Sequence, residues 1–177
     1  MIIDGKAIVE DMYQALAKRR ALFEGVIKLG IVVVGENPVI ESFVRTKERN
    51  AGRLNVEMVR VNLPETATQE EIIAALKNVA EQSDAVIPQL PLPVGIDIDA
   101  ILSAVPNDKD VDALNPTIPE ENRLVHAPVA LAAVEILERG GVTIKGGVTF
   151  KFFLPIIDTI LSSFNFSLIL PLRQIRR

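Results

Sequence analysis

Two apolar periodicities alternate along the chain, and their order predicts most of the fold. Asp4 precedes a stretch with Ile8, Met12, Ala15 and Leu16 at helical spacing, which predicts a capped helix through about residue 22. From Lys28 to Val34 the pattern becomes a nearly unbroken apolar run ending at Gly35, as expected of a strand buried on both faces. Asn37-Pro38 then reads as a cap followed by a first-turn proline, opening a helix to about Arg53. Residues Val56 to Leu63 alternate, with Val56 and Met58 set against Glu57, Arg60 and Asn62, and predict a second strand nearer a sheet edge. Thr68 and Glu71 stand at capping-box spacing in front of a helix over Gln69–Glu81. Ser83 to Gln89 reads as a third strand. Asp97 or Asp99 opens a short helix that stops before Pro106, and His126 to Arg139 forms one more, closed by Gly140-Gly141.

Strand, helix, strand, helix, strand with short connections predicts an α/β fold: a three-layer domain whose mostly parallel sheet is flanked by helices. In such a sheet, ligands bind beyond the carboxyl ends of the strands. The third strand leaves the sheet through Gln89-Leu90-Pro91-Leu92-Pro93. Each proline fixes its own φ and removes a backbone donor, so this exit is stiff and cannot go on pairing. Gln89 thus stands where its amide, both donor and acceptor, can read a planar heterocycle.

Residues beyond 149 break the pattern. Five of the seven phenylalanines lie from Phe150 onward, and the apolar stretch Phe152 to Leu172 is interrupted by Pro155, Asp158, Asn165 and Pro171. A membrane span needs about 20 consecutive apolar residues, and these interruptions speak against one. The stretch reads as an atypical hydrophobic tail: foreign to the fold, as an out-of-frame ending would be, or else a docking helix or an anchor.

Composition narrows the function classes. A net charge of −4 over 177 residues, with basic residues gathered only in short runs such as Lys18-Arg19-Arg20 and the last five, predicts no nucleic-acid partner. No cysteine is present, which excludes disulfides and thiolate metal sites and fits a reducing cytoplasm. The opening residues lack a signal pattern, so export is not expected.

Three side chains invite chemistry. Lys47 lies four residues after Phe43 on the predicted Asn37–Arg53 helix, so an ammonium and an aromatic ring share one face. Acid/base work near neutral pH requires the lysine to fall from about 10.4, through burial or neighbouring positive charge, with Arg45, Arg49 and Arg53 as candidates for the latter. The plainer reading is a solvated charged helix face. Asp112 follows Asp110 at i+2 in Lys109-Asp110-Val111-Asp112, a spacing that can turn one acid to the sheet and one to solvent, or simply make turns. The single histidine, His126, has no partner at metal-ligand spacing and reads as a helix-entry residue.

Taken together, Ile3-Asp4-Gly5-Lys6, the strand ending at Gly35 with Glu36-Asn37-Pro38, Ser42-Phe43-Val44-Arg45-Thr46-Lys47, Gln89-Leu90-Pro91-Leu92-Pro93 and Lys109-Asp110-Val111-Asp112 come in a familiar order. Over residues 1 to about 149 the chain resembles bifunctional methylenetetrahydrofolate dehydrogenase/methenyltetrahydrofolate cyclohydrolase. The resemblance implies catalytic roles for Lys47, Gln89 and Asp112, with Phe43, Gln89, Pro91, Leu92 and Asp112 binding substrate. It implies tetrahydrofolate derivatives as substrates, NADP as hydride acceptor, a homodimer, no metal, and a cytoplasmic role in one-carbon metabolism and purine biosynthesis.

The same resemblance implies a folate cleft walled by two domains, and here the chain departs from the family. Phe43 stands where the family usually has tyrosine, Ala113-Leu114-Asn115 where it usually has a glycine-led triplet, and the family's Pro-Cys-Thr-Pro segment is replaced near His126–Ala130. Lys145-Gly146-Gly147-Val148-Thr149-Phe150 resembles the approach to an NADP-binding domain, after which the resemblance stops. Residues 1–144 are therefore read as a folate-binding catalytic domain, and 145–177 as the start of a missing NADP-binding domain with a foreign tail. No NADP is expected to bind this chain, and a non-catalytic folate-binding or dimerising fragment is the competing reading.

Overall fold

The computed structural model describes residues 4–141 together with 149–150 and 168–169. The chain divides into two units, residues 2–132 and residues 133–177 with Met1. In the first, helix α1 (Gly5–Arg20) is followed by strand β1 (Ile27–Val34), α2 (Pro38–Arg53), β2 (Val56–Leu63), α3 (Gln69–Gln82), β3 (Ala85–Pro88) and α4 (Ile98–Ser103). Helix α5 (Pro128–Arg139) runs from the first unit into the second, which also holds an antiparallel pair, β4 (Thr149–Phe150) with β5 (Leu168–Ile169). The expectations for the rest of the tail lie outside the described residues. Among those described, no helix is long and apolar enough to cross a membrane.

The caps sit where the side chains allow them. Asp4 accepts from the amides of Lys6 and Ala7, Asn37 from Val39 and Ile40, and Thr68 and Glu71 form a reciprocal capping box. Of the two candidate acids, Asp97 opens α4 by accepting from Ala100 N at 3.2 Å. Helix α5 starts at Pro128 rather than His126, since proline suits a first helical position.

The sheet has the order β2-β1-β3 with both pairings parallel. The strand with three successive valines is therefore central, and β2, the alternating one, lies at an edge. Residues of β1 point to opposite faces in turn. Val32 and Val34 join Ile72, Leu76, Val79 of α3, Val86 and Ile101 in one cluster, while Ile31 and Val33 join Ile40 and Val44 of α2 and Ile87 in the other. Helices thus cover both faces in a three-layer α/β arrangement. Gly30 lies on the α3 side of β1, where an added Cβ would sit 2.2 Å from Val79 Cγ1 and 2.9 Å from Val86 Cγ2. Overpacking of this kind costs about 1–3 kcal/mol. Gly30→Ala is expected to lower the urea midpoint accordingly, and an unchanged midpoint would mean that α3 is not seated against β1 as described.

Candidate functional site at the carboxyl edge of the sheet

Gln89 is the first residue past β3. Its amide still donates to Val32 O at 2.9 Å, so the residue is held beside β1 although the strand has ended. Strand periodicity puts its side chain on the same face as Ile87, the face covered by α2. The residue is only 7% exposed. Its Nε2 donates to Leu90 O at 2.6 Å, which turns Oε1 towards α2.

Lys47 meets it there. On α2 the core-facing row runs Ile40, Val44, Lys47, Ala51, so Lys47 occupies a position of the buried stripe rather than the solvated face. Helical side chains lean towards the helix N-terminus, which here is the carboxyl edge of the sheet. Lys47 Nζ donates to Gln89 Oε1 at 2.7 Å. Burial pushes the Lys47 ammonium below the ordinary lysine range, and the negative charge of Asp112 partly restores it. Neighbouring arginines are not the cause: Arg53 stacks on Tyr13, 3.9 Å from the ring centroid, and pairs with Glu10 at 2.7 Å.

The two acids of Lys109-Asp110-Val111-Asp112 separate into different jobs. Asp110 bridges in parallel to Val86 and is 7% exposed. Its carboxylate accepts from Leu114 N at 3.2 Å and Asn115 N at 2.9 Å, closing a turn. Lys109 reaches back to the carbonyls of Ala80 and Ser83 at the end of α3, tying the segment to the sheet. Beyond Asp110 the chain turns at Val111-Asp112, where the Asp112 charge acts on Lys47 and that of Lys47 on it. Burial pushes the Asp112 carboxyl above the usual carboxylate range, Lys47 opposes this, and Asp110 adds to it. The residue after it, Ala113, has φ +54°, a conformation that costs an L-residue roughly 1–2 kcal/mol.

The other sequence candidates are placed less tightly. Phe43, one turn before Lys47, is 44% exposed and available to a ligand. Pro91 is exposed, and Leu92 is half-buried against the α3-side core rather than beside Lys47. His126 Nδ1 lies 3.5 Å from Glu120, the acid that also pairs with Arg123. One residue escaped the sequence altogether. Arg123 donates to the carbonyls of Ala113 and Asn115 and lies 4.0 Å from Asp110. Two of its partners are backbone oxygens, which leave no side-chain signature in a sequence.

The raised Asp112 carboxyl fixes a sign for stability. Its ionised form is less favourable in the folded chain than in the unfolded one, so its contribution is full below about 3.9 and is lost as pH rises through the folded value. Asp112→Asn removes that loss. Its thermal midpoint is expected to match wild type near pH 4 and exceed it at pH 8; a variant less stable than wild type at pH 8 would contradict the burial described.

An open parallel sheet with an amide and a lysine in contact at its carboxyl edge, and a carboxylate acting on that lysine, has the arrangement of an α/β protein at the place where such sheets bind small molecules. Residues 3–112, more than half of the chain, match the family "Tetrahydrofolate dehydrogenase/cyclohydrolase, catalytic domain". The chain belongs to that family. Among its relatives is the "Bifunctional protein FolD" of Acidiphilium cryptum, 36% identical over 117 residues that make up 65% of this chain and 42% of that protein. The protein of the same name from Streptococcus sanguinis is 36% identical over 121 residues, 65% of this chain and 43% of its own length. The match thus spans less than half of these relatives. A solved structure of methylenetetrahydrofolate dehydrogenase-cyclohydrolase (FolD) from Trypanosoma brucei, complexed with NADP cofactor and inhibitor, superposes with a TM-score of 0.75 and 29% identity, covering 83% of this chain and 54% of that one. The bifunctional enzyme FolD of Campylobacter jejuni, 24% identical with a TM-score of 0.72 over 81% of this chain and 55% of its own, shares the fold.

Proposed function

We propose that the Lys47–Gln89–Asp112 cleft binds a tetrahydrofolate one-carbon derivative and promotes hydration of methenyl-tetrahydrofolate to formyl-tetrahydrofolate. In the intact protein this step follows NADP-dependent oxidation of methylene-tetrahydrofolate, in cytoplasmic one-carbon metabolism that supplies purine biosynthesis. The single observation supporting this most strongly is the 2.7 Å contact between a half-buried lysine and an amide fixed at the end of β3.

Each group has a task its chemistry suits. Neutral Lys47 takes a proton from water as the oxygen bonds to the methenyl carbon. The resulting ammonium returns that proton to the ring nitrogen as the carbon–nitrogen bond opens, while the hydroxyl proton of the adduct leaves to solvent and its oxygen becomes the formyl carbonyl. Gln89 Oε1 holds the amine in line and stabilises the ammonium between those transfers. Asp112 accepts hydrogen bonds from the amino and ring N–H groups of the pterin, fixing one edge. Phe43 and Pro91 are proposed as apolar walls, Phe43 stacking on the benzoyl ring without the hydroxyl of a tyrosine; Leu92, packed on the α3 side, is not assigned that role.

The hydride step is not assigned to these residues, because the described ones do not fit a dinucleotide. The turn from β1 into α2 has the right position, opening on a cavity of about 920 Å³ between the carboxyl ends of β1 and β2. However, Glu36, Glu41 and Glu65 line that cavity. The amides of Val39 and Ile40 are taken by Asn37, and Arg60 is committed to Glu41 and Glu48. A pyrophosphate would meet three carboxylates there, with Arg60 and the first amides of α2 already engaged. Accordingly, residues 1–144 are proposed as the folate-binding domain and 145–177 as the beginning of an NADP-binding one. The homodimer belongs to the proposal for the intact protein.

Calorimetric titration of the 177-residue chain with tetrahydrofolate tests the substrate class. Saturable binding is expected, weakened at least tenfold in Asp112→Ala. Absence of binding to wild type, or equal affinities for the two proteins, would overturn the assignment.

A further inference from the structure

Among the described residues, Arg123 is a largely buried cation beside the Asp112 segment that the proposed chemistry does not use. Its side chain is 16% exposed, and its guanidinium is spent on the segment that carries Asp112. One terminal nitrogen donates to Ala113 O and the other to Asn115 O at 3.0 Å. The first also lies 4.0 Å from Asp110, whose carboxylate accepts the amides of Leu114 and Asn115. Nε pairs with Glu120 at 3.2 Å, from the short helical turn Glu120–Asn122. Asn115, buried, is held in turn by donating to Val105 O at 2.8 Å and accepting from Thr117 N at 2.9 Å. The turn after Asp112 is thus pinned at both of its carbonyls by one planar fork. Ala113 needs such a clamp, because at φ +54° it occupies a conformation that an L-residue leaves when free to do so.

We propose that Arg123 is a positioning residue for Asp112: by bridging the carbonyls of Ala113 and Asn115 it locks the turn that presents the Asp112 carboxylate to the cleft. The ligand consequence rests on the folate reading above, whereas the positioning claim does not. A lysine cannot substitute, since a point charge lacks the two parallel donors the paired carbonyls require.

The test follows the Asp112 carboxyl carbon by NMR titration in the ligand-free chain, for wild type, Arg123→Lys and Arg123→Met. If Arg123 positions the turn, both variants release Asp112 from burial and its pKa falls towards the ordinary carboxylate value. If Arg123 acted only through its charge, Arg123→Met would raise that pKa and Arg123→Lys would leave it unchanged. Either of these results overturns the proposal. Arg123→Lys keeps the charge and decides the matter should Arg123→Met fail to fold. In parallel, tetrahydrofolate affinity is expected to weaken about tenfold in Arg123→Lys. The same change should have no further effect in an Asp112→Asn background, and an equal loss there would mean that Arg123 does not act through Asp112. A wild-type chain that binds no tetrahydrofolate removes the folate reading and leaves the NMR comparison to judge Arg123.

Discussion

Replacing Lys47 with methionine is expected to bring methenyl-tetrahydrofolate hydrolysis down to the buffer rate. A positioned acid/base group is typically worth 10²- to 10⁴-fold, and methionine keeps most of the volume while removing the proton carrier. The assay is absorbance decay of the methenyl substrate with the buffer reaction subtracted. Because the neutral amine is the base, the wild-type rate should rise with pH and level off below the ordinary lysine range, as burial of Lys47 requires. Equal rates for the two proteins would leave a folate-binding fragment without catalysis.

The largest stability effect is expected at Asp110 rather than at Asp112. Asp110→Ala orphans the amides of Leu114 and Asn115 and takes the nearest buried carboxylate away from Arg123. A buried donor without a partner costs about 1–3 kcal/mol, and a buried ion pair broken on one side costs more than the pair ever contributed. The sum is expected at about 3 kcal/mol by urea denaturation. Asp112→Ala should leave the midpoint at or above wild type. A reversal of the two variants would mean that the structural and ligand-facing acids have been exchanged.

That contrast marks where sequence reasoning stops. Helices and strands were legible because each rests on local pattern: the valine run of β1, the alternation of β2, and caps such as Thr68 with Glu71. The parallel order followed from short connections. The motif Lys109-Asp110-Val111-Asp112 singled out the segment, but spacing alone did not say which acid turns inward, since that depends on which backbone amides lie beside it. Lys47 carried a local signal that was passed over. It continues the row Ile40 and Val44, so the solvated-face reading conflicts with the periodicity that predicted the helix. Its partner was legible only through the family resemblance, which names Gln89 beside it. Gln89 lies 42 residues away, and only the packing of α2 across β3 brings the two together. The arginine field expected around Lys47 dissolved for the same reason, because Arg53 is drawn to α1 by Tyr13 and Glu10.

The most direct test of the site is a crystal structure of this chain with formyl-tetrahydrofolate bound. The account predicts the pterin edge on the Asp112 carboxylate, with the one-carbon group within about 4 Å of Lys47 Nζ, near enough for transfer directly or through one water. Ligand found instead in the cavity lined by Glu36, Glu41 and Arg60, with Lys47 still bonded only to Gln89, would contradict it.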